Sequence, residues 1–320
     1  MHSPTFASSF SRIIVYRVSI ASAVVSHRIH DGFSHVNTRI SCVSQPSNLT
    51  PPSRVEDDEH DLHLEDGPLP SRAAAVHESI REEGETELKR AASALLWSAI
   101  AAGLSMSFSM LAKGLLHARL PDSDIGYLVE SLGYTIGFLV VILARQQLFT
   151  ENTVTAVLPV MSTPRIMQFL KLLKLWGVVL VGNLVGVAIS AYAILYMPLF
   201  DAETHKAFLS LGHHIMENTG GQMFAKGIVA GWMIATMVWL LPAAGGAKIW
   251  VILIVTYLVA LGGFTHIIVG STEVMYLMFA GQANLGEYLF DFALPTLAGN
   301  VIGGTFIFAL ISHAQIRSDS

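Results

Sequence analysis

Charge is scarce in this chain, and most of what there is lies toward one end. Only 13% of the 320 residues are Asp, Glu, Lys or Arg, against 52% hydrophobic, and the mean hydropathy is +0.53. Charged residues are dense up to Arg90 and sparse beyond it. A soluble protein of this length needs more charge to stay dispersed, so the composition specifies an integral membrane protein. Cysteine is nearly missing. Cys42 stands alone, which excludes an internal disulfide and any metal or redox centre built from cysteines. The histidines are scattered without a zinc-like pair, and no nucleophile–base set can be picked out. The chain is therefore not expected to be an enzyme or to hold a cofactor, and nothing points to a nucleic-acid partner.

Acidic residues are absent through His30, where Arg12, Arg17 and Arg28 stand among serines, a composition like that of a transit segment. The apolar stretch 13–25 is interrupted by Arg17 and is too short to span a bilayer. Prolines and acids over 45–72 predict disorder, and the acidic run 56–66 accounts for most of the net charge of −5. Residues 1–72 thus read as a disordered extension. Residues 77–90 read as a charged amphipathic helix within a cytoplasmic segment 73–93, and 314–320 as a cytoplasmic tail.

What the remainder has is a repeated vocabulary. Phe149-Thr150 is followed about 34 residues later by Gly182-Asn183-Leu184-Val185-Gly186. Phe264-Thr265 is followed at nearly the same spacing by Gly299-Asn300-Val301-Ile302-Gly303. A fainter match, Ile100-Ala101-Ala102-Gly103 against Ile228-Val229-Ala230-Gly231, precedes each pair. Six apolar segments carry these words, at roughly 94–116, 125–161, 175–199, 223–243, 249–279 and 292–312. The second and fifth are long and are interrupted by 146–152 and 262–266, sequences too polar or glycine-rich to face lipid. Irregular backbone at membrane depth is tolerated only against protein or a water-filled cavity.

Basic residues near the span ends set the orientation. Arg165, Lys171, Lys174 and Lys248 lie in the 2–3 and 4–5 loops, and Lys89 and Arg90 precede the first span, whereas the other loops offer Arg119 and Lys206. Both termini are expected inside. Three spans per repeat is an odd number, so the copies run oppositely. The expected fold is all-α, six spans over 94–313 in two inverted three-helix repeats, with the second and fifth helices broken at mid-membrane, as in transporters and channels.

His266 is the first candidate for chemistry. An ionisable side chain inside an apolar span is expensive and tends to face a pathway, and histidine titrates near neutrality. It reads as a proton-exchanging pore residue or as a structural histidine bonded to a backbone carbonyl freed by the break. Thr150 holds the corresponding place in the first repeat, where its hydroxyl can bond the permeant, His266 or an orphan carbonyl. Leu148, Phe149, Phe138, Tyr134 and Phe264 supply bulk around the breaks, and hydrophobic constrictions gate by excluding water. Asn183 and Asn300 are read as pinning the broken segments, their glycines allowing close helix approach. Glu151 and Glu217 are assigned to the vestibules, with Arg145 and Glu130 nearby as ion-pair or carbonyl-bonding partners.

On these words the chain resembles the formate/nitrite transporter family over about 75–315. The marks are Leu148-Phe149-Thr150, the third-span Gly-Asn word, Gly263-Phe264-Thr265-His266, and 295–304. The resemblance implies an aquaporin-like protomer in a homopentamer of the bacterial inner membrane, each protomer passing small monovalent weak-acid anions such as formate or nitrite. It makes His266 similar to the family's central pore histidine and Thr150 to its partner threonine. Leu148 and Phe138 match positions of the inner constriction, Phe149 and Tyr134 bulky positions nearer the outer one. The family's basic vestibule residue has no match in 207–225, where Glu217 stands, so anions are expected to be concentrated less well. Two other readings stay open: a pore of the same fold for ammonium or another small weak base, and a non-conducting membrane partner or sensor.

Overall fold

The computed structural model describes residues 72–318, and the expectations made for the chain up to Ser71 lie outside them. All regular structure among the described residues is helical. Helix α1 (Arg72–Lys89) leads into α2 (Ala92–His117), the first span. The second span is α3 (Asp124–Gly133) and α4 (Thr135–Leu143), then a break, a 3-10 turn at Glu151–Thr153 and the short α5 (Leu158–Ser162). Helix α6 (Ile166–Tyr196) is the third span. Then come α7 (Ala202–Met216), α8 (Gly220–Leu240), α9 (Lys248–Leu261) and α10 (Ile267–Phe279). The last span is α11 (Glu287–Ile316), with π-helical turns over Glu287–Ala293 and Ile302–Ala309.

Three features depart from the sequence reading. The third span starts nine residues earlier than 175, its first turns carrying Lys171 and Lys174. The connection from third to fourth span is not a plain loop but α7, capped by Asp201, whose carboxylate accepts from the Thr204 amide at 2.9 Å. The second span also bends at Tyr134 before its main break. Ser109 Oγ repairs that bend, donating to the Tyr134 carbonyl at 2.6 Å and accepting from the Gly137 amide at 3.2 Å.

The two asparagines show what the repeat is for. Asn183 Oδ1 accepts from the Phe149 amide at 2.9 Å, while Nδ2 donates to the carbonyls of Ala99 and Gln147, both at 2.8 Å. Asn300 Oδ1 accepts from the Ile267 amide at 2.9 Å, and Nδ2 donates to the carbonyls of Gly227 at 2.9 Å and Thr265 at 3.0 Å. Each asparagine thus ties the first span of its repeat to the two sides of that repeat's break. Glycine makes the approach possible. A Cβ on Gly103 would collide with the Asn183 carbonyl, and one on Gly231 with the Asn300 carbonyl, which upholds the fainter sequence match.

This bonding also corrects the register. Gln147 pairs with Thr265 and Phe149 with Ile267, so the true counterpart of His266 is Leu148, and the two Phe-Thr words do not superpose. The copies run in opposite directions. The start of α2 shares a cavity, through Arg90, with Leu241 and Pro242 at the end of α8. The other end of α2, through Lys113, shares one with Asn218 and Lys226 at the start of α8.

Helix α1 lies on the underside of the first break, close enough that a Cβ on Gly84 would collide with the Thr155 carbonyl. Its far side meets the end of α11, where the His77 ring contacts His313 at 3.1 Å and Trp239 edge-on at 6.2 Å. Burial, and then His313, lower the His77 pKa below its ordinary 6.5. A histidine depressed in the folded state contributes stability that is present above its unfolded pKa and lost as pH falls through the folded one. The hydrogen-exchange protection of α1, taken relative to the intrinsic rate at each pH, is therefore expected to fall on acidification below about 6.5 and to lose that dependence in His77→Phe.

Candidate permeation pathway

Both breaks are built the same way. Helix α4 ends with Arg145 in the left-handed region at φ 52°, its amide donating to the Ile142 carbonyl at 3.1 Å and the Gln146 amide to Val141 at 3.0 Å. Helix α9 ends with Gly263 at φ 56°, bonded to Ala260 at 3.0 Å, and the Phe264 amide reaches Val259 at 3.1 Å. These are paired Schellman endings, which glycine makes at no steric cost. Arginine in the same conformation costs about 1 kcal/mol. Arg145→Gly is expected to raise the melting temperature of the purified protein while removing a cation from the pathway's mouth; an unchanged or lower Tm would deny the strain.

Beyond the second break the chain re-enters a helix at His266. Its Nδ1 accepts from the Val269 amide at 3.4 Å, capping α10, and its Nε2 meets Thr150 Oγ1 at 2.8 Å. With Nδ1 used as an acceptor the ring is neutral, and Nε2–H donates to the threonine hydroxyl. The hydroxyl keeps its own proton for another acceptor. The ring thus caps backbone, through an amide rather than a carbonyl, and also meets Thr150, one of the partners the sequence offered that hydroxyl. Both residues are buried, at 2% and 1% exposure. The orphan carbonyl of Thr150 is taken instead by Thr153 Oγ1 at 2.7 Å.

The bulky candidates gather around this pair. The Phe138 ring meets the His266 ring edge-on at 5.1 Å and Tyr134 at 5.4 Å. Leu148 and Phe138 are fully buried. Phe149 turns toward α6, where its ring packs on Trp176 at 5.9 Å, and the Trp176 indole holds the Asn152 carbonyl at 3.1 Å. Phe264 folds back over Gly262, where a Cβ would collide with the ring, and borders the cavity on the α7 side.

Two mouths lead toward the centre. On the α1 side a cavity of about 570 Å³ is bordered by Glu83, Glu87, Arg90, Arg145, Lys248 and Glu151. On the α7 side a cavity of about 340 Å³ holds Lys113, His117, Glu130, His214 and Glu217. Glu130 is bonded to His117 Nδ1 at 2.6 Å and lies 3.9 Å from Lys113 Nζ. Glu217 is exposed and pairs with His214 at 3.2 Å. A narrower cavity of about 50 Å³ borders His266 and includes Lys113, Tyr134, Lys226 and Glu273.

Lys226 supplies a basic residue that the sequence reading lacked. It stands one position past 207–225, on the first turns of α8, with Nζ 2.6 Å from Asn218 Oδ1. Together with Lys113 it places two lysines on the α7 side, alongside Glu130, Glu217 and Glu273. Lys113, Lys226 and Glu273 were missed because each is a single charge inside an apolar run.

Two re-entrant breaks, joined at a buried histidine–threonine contact between opposite mouths, define a membrane-spanning transport protein. Comparison with known sequences agrees. The formate/nitrite transporter profile matches residues 74–314, and the chain belongs to that family. It is 58% identical over 258 residues to the inner membrane protein YfdC of Escherichia coli K12, covering 81% of this chain and 83% of that one. Among solved structures, a pentameric formate channel with formate bound aligns at TM-score 0.62 and 21% identity, covering 72% of this chain and 99% of that one. An FNT family ion channel aligns at 0.64 and 19% identity, covering 75% and 98%. The all-helical fold of inverted repeats is shared with these channels.

Proposed function

We propose that this protein passes small monovalent weak-acid anions, of the formate or nitrite kind, across the bacterial inner membrane, and that they cross the His266 constriction as the protonated acid. The observation that carries this reading is the contact of His266 with Thr150 between two lysine-bearing mouths and a wall of Phe138 and Leu148. A bare anion pays a desolvation cost of several kcal/mol there even after relaxation, which its neutral acid avoids. The hydroxyl proton of Thr150, left free because His266 Nε2–H donates to the same oxygen, is a donor to an acid's oxygens. The helix start at Ile267 turns the positive end of its dipole toward the same point. Family membership supports the substrate class.

The assembly is proposed to be a homopentamer, supported by the pentameric formate channel that shares the fold. The α1 mouth faces the cytoplasm, consistent with Arg90 and Lys248 at its rim. A weak-base pore is disfavoured by Lys113 and Lys226 beside the constriction. Stopped-flow flux in proteoliposomes separates the readings: formate and nitrite are expected to pass and ammonium to be excluded. Ammonium passage without formate would reverse the assignment, and passage of neither would favour a non-conducting partner.

A further inference from the structure

Glu273 is the buried charge for which the pathway above has no use. It sits on α10, two turns beyond His266, with 3% exposure. It has neither a hydrogen bond nor an ion pair among the described residues, and it borders the narrow cavity that also reaches His266. Tyr134 borders the same cavity from the second span, and its buried hydroxyl also has no hydrogen-bond partner there. Two polar groups that border one small cavity, neither bonded to another described residue, leave a place for a partner that comes and goes.

The surrounding charges say what form the carboxyl takes. Lys113 on α2 borders the same cavity, but it is already balanced by Glu130 of α3, which also holds His117. From α7 comes His214, and from α8 comes Lys226, bonded to Asn218. Tyr288 of α11 spends its hydroxyl on Ser271, and α6 carries no charged residue after Lys174. An ionised carboxylate buried without a partner is heavily penalised, and the cations bordering its cavity are engaged by other groups. The neutral, proton-bearing acid fits this setting.

We infer that Glu273, with the Tyr134 hydroxyl beside it, is the proton-donating site at which the permeant anion becomes its neutral acid before the His266 constriction. The inference rests on the weak-acid reading and adds the source of the proton. Lys113 and Lys226 draw the anion into the narrow cavity, where Tyr134 donates a hydrogen bond to it. The Glu273 carboxyl O–H bond breaks, the permeant's O–H bond forms, and Glu273 is left as a carboxylate facing Lys113. Water from the α7 mouth returns a proton to it. His266 stays neutral throughout, as its capping bond from Val269 requires. For export the same steps run backward.

The test is formate flux against pH in proteoliposomes, for wild type and Glu273→Gln, with assembly checked by size-exclusion chromatography. Glutamine copies the shape of the neutral acid but has no proton to give. Its flux at neutral pH is expected to fall at least about tenfold, the low end of what a positioned acid contributes, and its residual pH dependence to follow only the fraction of free formic acid. Glu273→Asp, which keeps an acid one methylene back, is expected to retain a protein-controlled pH profile with a displaced midpoint. Should the glutamine protein not assemble, the aspartate protein decides: a wild-type profile there overturns the inference. Wild-type flux and pH dependence in Glu273→Gln overturn it as well, while leaving the weak-acid reading standing. A wild-type protein that passes no weak acid refutes that reading, and the inference with it.

Discussion

Asn183→Leu and Asn300→Leu are each expected to abolish the assembled protein, by the same amount and for the same reason. Leucine fits the volume but strips the partner from one buried amide and one buried carbonyl of the break at each site, and a second donor from a helical carbonyl. The amides of Phe149 and Ile267 suffer most, having no other acceptor among the described residues. With about 1–3 kcal/mol for each buried group left unsatisfied, the loss at one site reaches roughly 2 kcal/mol or more, a large part of ordinary folding stability. Water cannot make up the difference at membrane depth. The measurement is the yield of monodisperse protein on size-exclusion chromatography in detergent. Normal yield from either variant would mean that the asparagines decorate the breaks rather than hold them.

His266→Phe is expected to assemble and to lose weak-acid flux by about 100-fold or more, the order seen when a positioned donor is removed from a reacting site. Phenylalanine keeps the ring's bulk against Phe138 but cannot accept from Val269 or donate to Thr150. The lost cap costs α10 only about 1 kcal/mol, and the asparagine ties are untouched. His266→Asn is the informative contrast. Asparagine is a good helix cap and carries an N–H donor, so it is expected to restore assembly fully and flux in part, without any titrating group. Equal flux in the phenylalanine variant and wild type would remove His266 from the pathway. Equal flux loss in the two variants would point to the imidazole itself as the proton carrier.

The sequence made the architecture legible because two of its constraints leave chemical marks. Close helix approach needs glycine, and bridging a broken helix in lipid needs an amide side chain, so Gly-Asn-x-x-Gly had to appear twice. The register of the breaks was hidden because their likeness is one of backbone. Arg145 and Gly263 share a left-handed conformation, and Leu148 and His266 share a position, although neither pair looks alike. The recurrence of Phe-Thr was a coincidence of letters. Helix α7 escaped because His205, Lys206, His213 and His214 make it too polar to count as a span. The meeting of Thr150 with His266 followed from inversion alone, since opposite copies bring both breaks to the middle. That Lys113 and Lys226 share one cavity could not be read, because it depends on which faces of α2 and α8 turn inward.

The central claim is that what crosses the His266 constriction is uncharged, and the most direct measurement is the voltage dependence of formate flux in proteoliposomes at fixed pH. A potassium–valinomycin potential should leave the flux of wild-type protein unchanged in both directions, with one proton moving alongside each formate, while a pH gradient of the same driving force should drive it strongly. Formate flux that follows the applied potential and proceeds without proton movement would contradict the account.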